Sequence, residues 1–260
     1  MSGRRGTIAH VLWADRSGAG PRLALVHGFT QNRRCWGAVA DDLAADHEVV
    51  LLDAPLHGRS GRVAADLVAT AALLATAVGP AAWLGYSMGG RACLHLALER
   101  PDVVEALVVL GATAGIEDEA ARGERVAADE VLARRLEEEG LEAFLDDWLA
   151  LPLFGGLSPA AQHREARLEN DPRALATSLR LAGTGAQEPL WDRLHVVEAP
   201  VLVVAGELDT RFAATGERLV DAIGANAVLR LVPGAGHAAH LERPQAFLDV
   251  VRPWLAANGR

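Results

Sequence analysis

Six short, almost wholly apolar runs recur along the chain, and helically spaced apolar residues fill most of the intervals between them. The runs lie at 23–27, 48–53, 81–86, 106–111, 201–206 and 228–232. A strand reads as near-continuous Val, Leu and Ala when both faces of its sheet are covered, which is the situation of a parallel sheet. Amphipathic stretches at about 34–45, 63–77, 88–99, 213–223 and 244–256 supply the covering helices. This alternation predicts an α/β architecture with a mostly parallel, doubly wound sheet. A chain of 260 residues fits one such domain and can bury a sizeable core.

The rhythm stops between 113 and 195, where Glu, Arg, Ala and Leu dominate and no strand pattern occurs. Pro152, Pro159, Pro172 and Pro189 are expected to divide this stretch into short helices. An insertion between two parallel strands lies over their C-terminal ends, where open α/β sheets bind ligands. The expected organisation is therefore a core of 1–112 and 196–260 carrying a helical cap of 113–195.

A net charge of -9 argues against a nucleic-acid partner, since phosphate backbones reward clustered positive charge. All 25 basic residues are arginine, a bias that reads as codon usage rather than function. The opening MSGRRGTIAHVLW has no apolar run long enough for a signal peptide or membrane span, so a cytoplasmic location is expected. Cys35 and Cys93 read as reduced, partly buried thiols. No metal-ligand spacing or nucleotide loop occurs, so neither metal nor cofactor is expected. The mixed, acidic surface indicates no interface and leaves the oligomeric state open.

The chemistry concentrates in Gly85-Tyr86-Ser87-Met88-Gly89, which follows one apolar run and opens a helix. A G-x-S-x-G sequence in this setting forms a nucleophile elbow, a tight strand-to-helix turn that exposes the serine hydroxyl. Side chains at Gly85 and Gly89 would collide in such a turn. A serine needs a base, and the base needs an orienting acid. Asp209 and His237 each stand just past an apolar run, in the order serine, acid, histidine that defines the α/β-hydrolase fold. Glu207 is the second choice of acid and His240 the second choice of base. Backbone N–H groups of Phe29 and Met88 are the expected oxyanion donors, with Gly28 allowing the turn that aims the first. His27 and His57 read as residues that brace their loops.

Around these residues the chain resembles the 2-succinyl-6-hydroxy-2,4-cyclohexadiene-1-carboxylate synthases, from about Leu23 to Trp254. The cap carries the more specific part. Gly115-Ile116, Arg122 and Arg125, Trp148 with Pro152-Leu153-Phe154, Arg164 and Arg167, and Gly183-Thr184-Gly185 with Gln187 and Leu190-Trp191 follow the family's order. Gly206-Glu207-Leu208-Asp209-Thr210-Arg211-Phe212 matches a family segment in which lysine is usual at Arg211. Asp53-Ala54-Pro55-Leu56-His57-Gly58 departs from the commoner D-L-P-G-H-G, with Leu56 where glycine is expected. That departure bears on loop shape, not on the three catalytic candidates.

The resemblance implies a lyase of menaquinone biosynthesis that eliminates pyruvate from 2-succinyl-5-enolpyruvyl-6-hydroxy-3-cyclohexene-1-carboxylate, a small polycarboxylate. Ser87, deprotonated through His237, would then act as general base. Arg91, four residues past Ser87, together with Arg125 and Arg167, would meet the three carboxylates. Arg122 can exchange roles with Arg125, three residues away on its helix. Tyr86 and Trp148 match pocket positions. Two rival readings remain: a carboxylesterase or carbon–carbon bond hydrolase with Ser87 as nucleophile, and a non-catalytic binding protein of the same fold.

Overall fold

The computed structural model describes residues 12–259; the opening segment in which no leader was read lies outside the described residues up to position 11, as does Arg260. Among the described residues, seven strands form one sheet: β1 (Ala14–Ser17), β2 (Arg22–Val26), β3 (Glu48–Leu52), β4 (Ala81–Tyr86), β5 (Val104–Leu110), β6 (Val201–Gly206) and β7 (Ala227–Val232). Their order is β1-β3-β2-β4-β5-β6-β7, and every pairing is parallel except that of β1 with β3. The antiparallel edge strand β1 was not expected. Its sequence, ADRS, is short and largely exposed, and carries none of the apolar run that marks the inner strands.

Successive residues of the inner strands point to opposite faces. One face, with Val26, Trp83, Leu107 and Val203, packs against α2 (Leu67–Val78), α3 (Met88–Glu99) and α8 (Thr210–Ile223). The other, with Leu25, Leu84, Val108 and Val204, packs against α1 (Gly37–Leu43) and α10 (Pro244–Asn258), the latter preceded by the single-turn α9 (Ala239–Glu242). Both faces are covered, as near-continuous apolar strands require. Cys35 and Cys93 are free thiols, fully buried rather than partly so.

Between β5 and β6 the chain is helical: α4 (Glu119–Glu139), α5 (Leu141–Leu149), α6 (Arg164–Arg167) and α7 (Pro172–Ala182). Of these, α4, α5 and α7 share a small core of their own, with Leu136, Phe144, Leu145, Leu175 and Leu179. Pro172 begins α7 at a first-turn position, where its missing N–H costs nothing. The expectation of uniformly short helices fails for α4, which runs 21 residues without a break. No proline falls inside it, and Asp118 caps its start by accepting a hydrogen bond from the Ala121 N–H at 2.7 Å.

Candidate active site

Ser87 sits between β4 and α3 with φ +52° and ψ -109°, a backbone conformation that non-glycine residues rarely adopt. The turn is pinned from both sides. The Ser87 N–H donates to the Leu110 carbonyl at 2.8 Å, and its own carbonyl accepts from the Arg91 N–H at 3.0 Å. A Cβ at Gly85 would lie 2.5 Å from the Gly89 oxygen, and one at Gly89 would lie 2.1 Å from the Val26 oxygen. Backbone contacts that close admit only glycine.

His237 and Asp209 follow β7 and β6. The Nδ1–H of His237 donates to Asp209 Oδ2 at 2.8 Å, because a carboxylate at that distance can only accept. This fixes the tautomer and leaves Nε2 as the ring's second nitrogen, and His237 and Ser87 line the same cavity. Asp209 also caps α8, accepting from the Phe212 N–H at 3.2 Å. Phe212 packs on the imidazole with ring centroids 4.5 Å apart. A Cβ at Gly111 would lie 3.1 Å from His237 Cε1, so the end of β5 backs the ring directly. Glu242 was not singled out in the sequence, yet its carboxylate accepts from the N–H groups of Gly236 (2.7 Å) and Ala238 (3.0 Å), on both sides of His237.

The second-choice residues are otherwise engaged. Glu207 accepts from the Gly234 N–H at 2.9 Å and braces the loop after β7. His240 lies between the rings of Trp36 and Tyr86, at centroid distances of 4.7 and 4.5 Å. Burial there drives its pKa well below the ordinary value, so it is held neutral. His27 does brace its loop: its Nδ1 bonds the Gly28 carbonyl at 2.8 Å, while its Nε2 accepts from the Ala54 N–H at 3.0 Å. His57 bonds the Pro55 carbonyl through Nδ1 at 2.9 Å, within its own loop.

Phe29 and Met88 both line the cavity. Gly28 is needed for a different reason from the one anticipated. Its φ is not positive; instead a Cβ there would lie 2.8 Å from the Tyr86 ring and 3.4 Å from the Ser87 Cβ. Space beside the serine, rather than a left-handed turn, excludes a side chain.

Arg91, Arg125 and Arg167 reach the cavity from α3, α4 and α6. Arg91 is 7% exposed and its nearest hydrogen-bond partner is Gln187 Oε1, at 3.4 Å. Arg167 is 1% exposed; its Nε donates to the Gln162 carbonyl at 2.8 Å and its Nη1 to Thr30 Oγ1. Among the described residues neither guanidinium has a carboxylate partner. A buried, unpaired charge costs several kcal/mol, and desolvation, reinforced by the nearby Arg125 charge, pushes the Arg91 pKa down to about 10. Such a cavity favours an anionic ligand. Arg125 is partly neutralised by Asp129, to which its Nε donates at 2.8 Å.

Of the substrate-binding candidates, Arg122 alone does not line the cavity. Its guanidinium points back to the Ile116 carbonyl at 3.4 Å. Arg125 lies on the same helix face, but its guanidinium is held by Asp129 rather than by a backbone carbonyl. Tyr86 and Trp148 line the cavity, and Trp148 also packs on Phe29, Phe144 and Phe154, with centroids 5.5 to 5.7 Å away. Arg211 lines it too, although the sequence marked it only as a family position. Gly183 and Gly185 are explained by close packing on α4: a Cβ on either would come within 2.5 Å of Asp129 Oδ2 or the Val126 nitrogen.

The strained serine, the oriented histidine and the parallel sheet define a class, and residues 23–250 match the model of the alpha/beta hydrolase family, to which the chain belongs. The 2-succinyl-6-hydroxy-2,4-cyclohexadiene-1-carboxylate synthase of Serratia proteamaculans is 33% identical over 257 residues, 95% of this chain and 96% of that one. The enzyme of that name from Klebsiella pneumoniae is 31% identical over 245 residues, covering 91% and 94%. MenH from S. aureus superposes with a TM-score of 0.89 at 28% identity, over 96% of this chain and 99% of its own. Within the larger family the chain therefore belongs with these synthases.

Proposed function

We propose that the chain eliminates pyruvate from 2-succinyl-5-enolpyruvyl-6-hydroxy-3-cyclohexene-1-carboxylate, giving 2-succinyl-6-hydroxy-2,4-cyclohexadiene-1-carboxylate for menaquinone biosynthesis. The observation that carries this reading is the pair of buried guanidiniums, Arg91 and Arg167, without carboxylate partners in the cavity that holds Ser87. A substrate with three carboxylates relieves that cost; a neutral ester does not. Residues 113–195 act as a cap over the core, and the location is cytoplasmic.

In this mechanism His237, oriented by Asp209, takes the Ser87 proton, and Ser87 removes the ring proton at C2, beside the succinyl ketone. The C2–H electrons first form an enolate, whose oxygen lies against the N–H groups of Phe29 and Met88. Developing charge is stabilised there by amides already in place. The enolate then collapses: a C2=C3 bond forms, the ring alkene shifts to C4=C5 and the C5–O bond breaks. The departing enolpyruvate takes up a proton and tautomerises to pyruvate. No acyl-enzyme forms. Arg91, Arg125 and Arg167 hold the carboxylates, while Tyr86 and Trp148 wall the ring.

The test is pyruvate release, measured against the spontaneous rate. Arg91→Ala is expected to lower kcat/KM by about tenfold to a hundredfold, the worth of one charge-assisted hydrogen bond. An unchanged value would remove the carboxylate role from Arg91. An acyl adduct trapped on Ser87 would instead support the hydrolase reading.

A further inference from the structure

Gln31 follows the Phe29 segment and carries a buried polar group that nothing among the described residues satisfies. Its side chain is 1% exposed and lines the cavity that also holds Ser87 and Arg167. Oε1 is occupied, accepting from the Gly28 N–H at 3.2 Å. That bond fixes which end of the amide is which, because an N–H must meet the oxygen. The other end, Nε2, is buried without a hydrogen-bond partner among the described residues.

An unpaired buried amide is unfavourable, and natural cores rarely leave one without a reason. Its surroundings indicate the reason. Gln31 is joined to Arg167 through the preceding residue: Thr30 Oγ1 accepts from Arg167 Nη1, and Thr30 is held at φ +64°, unusual for a β-branched residue. Asn170 Nδ2 donates to the Thr30 carbonyl at 2.8 Å and fixes this strained step. Arg167 uses Nε and Nη1 within the protein, which leaves its Nη2. Gln31 and Arg167 both line the cavity, and between them they leave two donors unused within the protein, one neutral and one charged.

We propose that Gln31 is a substrate-binding residue whose Nε2 donates to a carboxylate oxygen of the ligand held by Arg167. This rests on the polycarboxylate lyase reading and adds to it a neutral donor beside the arginines. The geometry also separates binding from catalysis. The amide oxygen of Gln31 bonds Gly28 and the amide nitrogen serves the ligand, so the two tasks divide between the two ends of one group.

Gln31→Glu separates them, because the carboxylate still accepts the Gly28 N–H but presents an oxygen where the donor stood. The expected result is KM for the enolpyruvyl substrate raised about thirtyfold or more with kcat within threefold. Gln31→Ala is expected to raise KM about tenfold, with unfolding transitions of both variants followed to confirm the fold. A KM within twofold of the parent in both variants overturns the proposal and leaves the lyase reading intact. A fall in kcat at constant KM also overturns it, since that is the mark of a role confined to the Phe29 segment. If the parent protein releases no pyruvate above background, the lyase reading fails separately. Calorimetric titration with succinate, a simple dicarboxylate, then decides: weaker binding to Gln31→Glu than to the parent supports the donor role. Equal binding, or none to the parent, overturns it.

Discussion

Leu56 holds a backbone conformation usually left to glycine, with φ +66°, in a loop where the family commonly has glycine. The loop keeps its turn and takes on strain of about 1–2 kcal/mol. The side chain is also 5% exposed, and burying a leucine stabilises by about 1.5–3 kcal/mol. The second effect is the larger, and glycine would add unfolded-state entropy. Leu56→Gly is therefore expected to destabilise by about 1 kcal/mol, read as a lower urea midpoint; a higher midpoint would mean that strain dominates. Ser87, Asp209 and His237 were legible as candidates because each stands within five residues of the end of an apolar run, where local sequence dictates local geometry. Gln31 and Glu242 were not, because their meaning lies in where the backbone around them turns. Arg122 and Arg125 could not be separated by spacing alone; the difference lies in their partners, the Ile116 carbonyl for one and Asp129 for the other.

One side chain, Asn170, joins the loops after both β2 and β3 to the end of α6. Asn170 Nδ2 donates to the carbonyls of Thr30 (2.8 Å) and Arg167 (2.9 Å), while its Oδ1 accepts from the Gly58 N–H at 2.7 Å. Truncation would leave the Thr30 carbonyl and the Gly58 N–H unpaired, while the Arg167 carbonyl keeps the Asn170 backbone N–H. Asn170→Ala is expected to cost about 2–4 kcal/mol of stability, measurable by chemical denaturation; a loss under about 0.5 kcal/mol would show that water replaces the side chain without penalty. The bonds to Gly58 and Thr30 join residues 112 and 140 positions apart, so no local pattern announces them. The inner strands were legible to within two residues at either end, since both their faces are covered and their sequences are apolar throughout. Strand β1 escaped notice because an edge strand needs no such run. The length of α4 escaped it because only Asp129, Ala133 and Leu136 are buried along its 21 residues, too few to draw an apolar stripe.

Across the molecule, histidines buried in the neutral form tie stability to pH. Desolvation lowers the pKa of His27 to about 4 and that of His57 to about 3, and holds His240 well below the ordinary value. The unfolded chain binds protons at these sites from about pH 6.5 downward, whereas the folded one does not, so acid favours unfolding. Stability should be insensitive to these groups above about pH 7. Below about 6.5 each removes up to about 1.4 kcal/mol per pH unit, until its folded pKa is reached. Urea midpoints falling steadily from pH 6.5 to 4.5 are expected; a flat profile over that range would contradict neutral burial. The described residues contain no helix long and apolar enough to cross a membrane. The whole fold serves one arrangement, a strained serine facing a cavity walled by arginines. The most direct test of that claim is pyruvate release from the enolpyruvyl cyclohexene substrate by the parent protein and by Ser87→Ala. Release well above the spontaneous rate, and lost in the variant, is the predicted result. Release at the spontaneous rate by the parent, or undiminished release by Ser87→Ala, would contradict it.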